Sequence, residues 1–247
     1  MVAISSPART LAEQIYGALK GDLLAGAFAP GAALLTRDLL ARYGCGISPL
    51  REALARLVGE GLLVASGHRG VRVPLPSRAD LDELYRIRGL LECEAMKLAM
   101  EHGDDQWEAL VLGACHRLER AALPGRVAAG DRGERVIEWE ARHRAFHAAL
   151  IAAAPAPKLL RLVDQMVDQT ERYRALRLVH SPTERLMRDI AAEHRALVDA
   201  ALARDARATE LLAEHLERTR GFVAGLFERD EADGKKKPSP KRVERRA

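Results

Sequence analysis

Four of the eight histidines in this chain are spaced for shared work. His143 and His147, in "EARHRAFHAAL", lie four apart and so on one face of one helix, where two imidazoles can converge on a single ion. His194, in "AAEHRAL", and His215, in "LAEHLER", are 21 residues apart, a separation that suits successive antiparallel helices. Four imidazoles turned into a helical interior are costly unless each is hydrogen-bonded or ligates a metal. Coincidence is the competing reading, because eight histidines in a helical chain produce some pairs by chance. Glu193 and Glu214, each directly before one of these histidines, read either as surface residues or as groups that orient a ligating ring.

A second group of residues is basic. The stretch "ISPLREALARLVGEGLL" (47–63) predicts a helix from Pro49, placed at the first helical position, to about Gly59. Leu50, Leu54 and Leu57 face inward and Arg51, Glu52 and Arg56 outward. An arginine in the first turn can bond a phosphate or fork onto a guanine edge. After Gly61 the apolar period drops to two, and "LLVASGHRGVRV" predicts a hairpin with His68 and Arg69 at its tip.

The elements that must carry these groups follow from the rest of the pattern. Thr10 and Glu13 form a capping box at the start of a helix over about 10–25, and Thr36 or Arg37 opens a short helix through Tyr43. Three helices and a hairpin over residues 9–74 predict a winged helix-turn-helix, preceded by a flexible 1–8. Read from pattern alone, such a unit is a DNA-binding head or a small interaction module with a solvated basic face. Prolines in "PLPSRAD" make residues 75–80 a linker.

Residues 81–229 then carry helical pattern only, predicting an antiparallel bundle of about six to seven helices. Ser77 caps the first, to about His102. "WEALVLGACHRLERAAL", 134–153 and 157–180 supply others, Ser181-Pro-Thr-Glu184 opens one to about Arg204, and Asp205 starts the last, to about Arg229. The fold class is mainly α, and the basic tail 230–247 is expected to be disordered.

Composition agrees with this reading. A chain of 247 residues with 48% hydrophobic and only 4% aromatic content, rich in Ala, Leu and Arg, favours helix and has ample material for a core. The net charge of +4 gathers at the two ends around an acidic middle. Cys45, Cys93 and Cys115 form no paired motif, which points to reduced thiols and a cytoplasmic protein. No apolar run approaches the roughly 20 residues that cross a bilayer, so no membrane partner is expected.

The segment "LAEQIYGALKGDLLAGAFAPGAALLTRDLLARYGCGISPLREALARLVGEGLLVASGHRGVRV" closely resembles the amino-terminal domain of GntR-family bacterial transcription regulators. The matching features are Gly26, Pro30-Gly31, Ser48-Pro49-Leu50-Arg51-Glu52-Ala53-Leu54, Glu60-Gly61-Leu62 and the glycines Gly67 and Gly70. The resemblance implies a double-stranded DNA operator as partner, contacted through Thr36, Arg37, Ser48, Arg51, Arg56, His68, Arg69 and Gly70. Where the family carries a hydroxyl residue and an arginine before the helix, this chain has Gly46 and Ile47. That departure shifts the contact toward Arg37 and Arg51 and implies a different operator.

The remainder resembles the effector domain of the FadR subgroup, through "LYRIRGLLECEAMKLA", "RAFHAAL", "AEHRALVDAALARDA" and "EHL". Many members hold a divalent metal on one aspartate and three histidines. His147, His194 and His215 match the histidines, and His143 stands in the aspartate place. An all-imidazole set favours zinc or nickel over hard, oxygen-seeking ions. The resemblance also implies Arg88 as clamp for a small carboxylate effector, with Glu92 one turn on; an ordinary surface ion pair is the alternative. The expected function is a ligand-responsive regulator that binds a palindromic operator as a homodimer. Its rivals are a regulator that answers to metal alone and a histidine-metal hydrolase.

Overall fold

The computed structural model describes residues 10–67, 70–121, 132–180 and 189–234. His68 and Arg69, residues 1–8, the Ser181–Glu184 segment and the tail from 235 onward lie outside the described residues.

Helix α1 (Leu11–Leu24) starts as its capping box requires: Thr10 Oγ1 accepts from the Glu13 amide and the Glu13 carboxylate accepts from the Thr10 amide. Its apolar spacing buries Ile15, Leu19 and Leu23 against α2 (Thr36–Tyr43) and α3 (Ile47–Gly59), whose contribution is Leu39, Leu50, Leu54 and Leu57. Truncating a leucine such as the fully buried Leu57 to alanine costs about 2–5 kcal/mol, enough to threaten so small a core. The wing is a three-stranded sheet in the order β1–β3–β2, formed by β1 (Ala33–Leu34), β2 (Val64–Ala65) and β3 (Val71–Arg72). Val64 pairs with Arg72 and Ala33 with the same residue from the other side.

Two expectations for the head are corrected. Helix α3 begins at Ile47, with Gly46 as its cap, so Pro49 is the third helical residue rather than the first. Proline is still tolerated there because the first amides of a helix have no carbonyl partner within it. Strand β1 has no signal in the sequence, because two residues in "GAALL" carry no readable alternation.

The second layer is built from α4 (Arg78–His102), α5 (Asp105–Glu119), α6 (Arg132–Leu150), α7 (Pro157–His180), α8 (Ile190–Leu202) and α9 (Arg207–Gly234), six helices among the described residues. Central α4 packs against α7 and α9, while α5 lies against α6 and α8. Ser77 caps α4 as expected, and α8 is capped by Asp189, whose side chain accepts from Ala192 N. Helix α6 stops at Leu150 where 153 was expected, as Ala152 and Ala154 turn back onto Ala149 and Ile151 ahead of Pro155. Helix α9 continues to Gly234 where an end near Arg229 was expected, since the intervening acids and alanine are acceptable helix residues. No helix among the described residues is long and apolar enough to cross a membrane.

Head and bundle touch directly. Along α7, Lys20 of α1 pairs with Asp168, Gln169 donates to the Glu60 carbonyl at the end of α3, and Arg172 donates to the Pro74 carbonyl. The linker is therefore held rather than loose: Ser77 N donates to the Tyr173 hydroxyl, which in turn donates to Asp80.

Candidate functional site

Helix α6 delivers His143 and His147 one turn apart, α8 delivers His194 and α9 delivers His215, so that all four converge inside the bundle. One ligating atom from each lies within 4.8 Å of every other, and each residue is at most 5% exposed. The four histidines singled out by their spacing thus lie side by side. The walls fix the rings: Trp139, one turn before His143, stacks on it with centroids 4.6 Å apart and planes 18° apart, and Phe146 packs against His194 at 4.7 Å.

Carboxylates hold two of the rings from behind. Glu193 Oε2 sits 3.0 Å from Nδ1 of His215, and Glu92 Oε2 sits 3.4 Å from Nδ1 of His147. Glu214, the other acid considered, is exposed and pairs with Arg218 instead. Burial drives the His143 pKa well below its ordinary value, helped by His147 and the Arg174 guanidinium, and burial likewise lowers that of His147. Neutral imidazoles are the form that ligates metal. Among the described residues, His143 Nδ1 and His147 Nε2 are buried without a hydrogen-bond partner, an arrangement that costs free energy in an apolar interior and that a bound cation would satisfy. The residues present therefore fit a divalent ion.

Arg88 and Glu92 form a fully buried pair, Nε to Oε1 at 2.6 Å, with Arg88 also donating to Thr170 Oγ1 at 2.9 Å. This rules out the ordinary surface bridge. Burial raises the Glu92 pKa, but Arg88 and His147 outweigh it and hold the carboxyl down at about 2. A second buried pair, Arg174 with Glu140 at 2.7 Å, closes the chamber on the α7 side. Beside His147 and Glu92 opens a cavity of about 320 Å3, walled by Ile151, Leu160, Val163 and Val167 and carrying Arg144, its ion-pair partner Asp164 and the exposed Arg161. Of the expected clamp residues, Glu92 lines this cavity, while Arg88 is engaged behind it. Trp139, Thr170 and Arg174 were missed in the sequence. Trp139 had a usable signal, its i−4 spacing from His143; the other two gave none, because their partners are distant in the chain.

The basic head presents a different surface. Arg51, Ser48 and Glu52 are exposed in the first turns of α3, together with Ile47 at 49% exposure. Arg37 is exposed at the start of α2 beside Asp38, Thr36 is half-buried, and Gly70 is exposed on the wing with a φ of +96° that favours glycine. Arg56 is also exposed, but its guanidinium is engaged, paired with Glu60 at 3.0 Å and lying 3.7 Å over the Tyr16 ring. It is therefore less available to DNA than Arg51.

Comparison with known proteins supports both halves. Residues 11–73 match the gntR family of bacterial regulatory proteins, and residues 83–218 match the FCD domain. The chain is similar to the HTH-type transcriptional repressor GlaR of Escherichia coli, with 36% identity over 81% of this chain and 90% of that protein. It is 38% identical to BphR of Paraburkholderia xenovorans, an HTH-type transcriptional regulator, over 85% of this chain and 83% of that one. Among solved structures it resembles E. coli McbR/YncC at 27% identity with a TM-score of 0.75, covering 89% of this chain and all of that one. These families and relatives are transcription regulators, not enzymes.

Proposed function

This chain belongs to the gntR family of bacterial transcription regulators and carries an FCD domain, and from that premise we propose a FadR-type regulator whose DNA affinity is set by ligands of the helical domain. It binds a palindromic operator as a homodimer, because one recognition helix reads too few base pairs for genomic specificity. Arg51 and Arg37 supply the main cationic contacts and the wing lies along the backbone.

The observation that carries the proposal is the convergence of His143, His147, His194 and His215 in one buried cluster. Those four imidazoles hold a divalent ion, zinc or nickel in preference to harder cations. When bound, such an ion supplies a positive centre that attracts an anionic ligand. The adjacent cavity is apolar on most sides, and although Arg144 in its wall is already paired with Asp164, Asp168 and Glu171, the exposed Arg161 suits it to a small carboxylate with an apolar body. The ligand acts by binding two arrangements of the molecule unequally.

A second reading, a regulator answering to metal alone, is favoured by the count of protein ligands: four imidazoles fill the set that zinc takes in closed sites. One experiment separates these readings. Protein purified without a histidine tag is analysed for metal, then screened by thermal shift against small organic acids with and without zinc. A zinc-dependent rise with one class of acid supports the organic effector. A response to zinc alone supports the second reading. Retention of less than about 0.2 equivalents of metal, with no recovery on zinc addition, would rule out the metal in both and favour histidines that donate hydrogen bonds to an organic acid.

A further inference from the structure

We propose that the α7 segment Asp168–Tyr173 is the positioning element that transmits the state of the histidine chamber to the recognition helix. The proposal rests on the reading that the head binds DNA under control of the helical domain, and it adds the route. Helical spacing divides this segment into two faces. Asp168, Gln169, Arg172 and Tyr173 hold the head and linker, whereas Thr170 points inward to Arg88.

The inward contacts lead to the histidines. His147 lies against Glu92, Glu92 pairs with Arg88, and Arg88 donates to Thr170, every member being buried. The outward contacts lead to the recognition helix by two routes. Gln169 Nε2 donates to the carbonyl of Glu60, the residue that caps the end of α3, at 3.0 Å. Asp168, 1% exposed, pairs with Lys20; Lys20 donates to the Tyr16 hydroxyl at 3.2 Å, and Tyr16 donates to the Glu60 carboxylate at 2.7 Å.

Both routes end on Glu60, so a shift of α7 moves the end of α3 rather than merely the linker. The neighbouring Gly61 makes the approach close: it has a φ of +73°, and a side chain there would meet the Gln169 amide at 2.9 Å. Buried polar chains of this kind have few satisfied arrangements, which is the property a transmitting element needs.

The test is a double-mutant cycle read on DNA affinity, using a duplex enriched from a random-sequence pool by the wild-type protein. Thr170→Val breaks the inward end, and Lys20→Gln with Gln169→Ala breaks the outward end. Thr170→Val is expected to change the dissociation constant at least about threefold in the parent chain and by less than about 1.5-fold in the outward-cut background. Thr170→Ser, which keeps the hydroxyl, should restore the parent value. Amide hydrogen exchange over residues 57–63, followed in the same variants, should rise with Thr170→Val and return with Thr170→Ser. Equal effects in both backgrounds, or unchanged affinity and exchange in Thr170→Val, would overturn the proposal. Metal content of the wild type, measured separately, bears only on the histidine reading, so the two failures are told apart.

Discussion

Glu193 Oε2 lies 3.0 Å from Nδ1 of His215, across the α8–α9 contact. A ring held at Nδ1 by a carboxylate keeps Nε2 as its remaining ligating nitrogen and gains basicity there. Replacing Glu193 with alanine is expected to weaken zinc binding about 10–100-fold while leaving the helical content unchanged. Competition against a chromophoric chelator, with circular dichroism in parallel, checks this.

His143 occupies the position at which neutral imidazole replaces an anionic ligand in the resemblance noted above. His143→Asp restores a hard oxygen donor, so selectivity should move from zinc or nickel toward manganese. Equilibrium dialysis against mixed metals would read the change; an unaltered preference would show that His143 is not a ligand.

Arg51 stands exposed in the first turns of the recognition helix, with no ion pair to compete for it among the described residues. Arg51→Ala should cost about 1–3 kcal/mol of operator binding, roughly tenfold or more in dissociation constant. Arg56→Ala should cost less DNA affinity than this and more stability, because its guanidinium is spent on Glu60 and Tyr16. Fluorescence anisotropy and thermal melting of the two variants separate these effects.

Ile47 exposes an apolar side chain one helical turn before Arg51. Such a group can meet a thymine methyl but contributes nothing to phosphate attraction. Ile47→Arg should raise affinity for DNA of any sequence and steepen the salt dependence by about one counterion. Binding isotherms across a salt series give the slope directly.

Arg174 and Glu140 are each about 4% exposed in their side chains and pair at 2.7 Å. Removing one partner strands a buried charge, so Arg174→Met should destabilise the fold by about 3–5 kcal/mol, and the double replacement with apolar residues by much less. Urea denaturation of the single and double variants provides the comparison.

The local elements were legible because local rules made them. Thr10 and Glu13 announced their cap, Ser77 its helix, and the i,i+4 spacing of His143 and His147 placed both rings on one face. The 21-residue separation of His194 and His215 worked because α8 and α9 are consecutive packed helices. Contacts between distant parts of the chain left no such mark. Nothing in the sequence tied Asp168 to Lys20 or Thr170 to Arg88, and only packing shows that Arg56, exposed like Arg51, lays its guanidinium over the Tyr16 ring. The start of α3 lies two residues before Pro49, unmarked in the sequence, because proline tolerates any of the first helical positions and Gly46 offers no side-chain cap.

The most direct test of control by the histidine chamber is the operator dissociation constant of tag-free protein stripped by chelation and then restored with one equivalent of zinc. Coupling between two sites of this kind is typically about 5–150-fold, so a change of at least about fivefold is expected, reversed by chelator and absent when His147 and His194 are replaced by alanine. An affinity that stays within about twofold across stripped, restored and doubly substituted protein would contradict it.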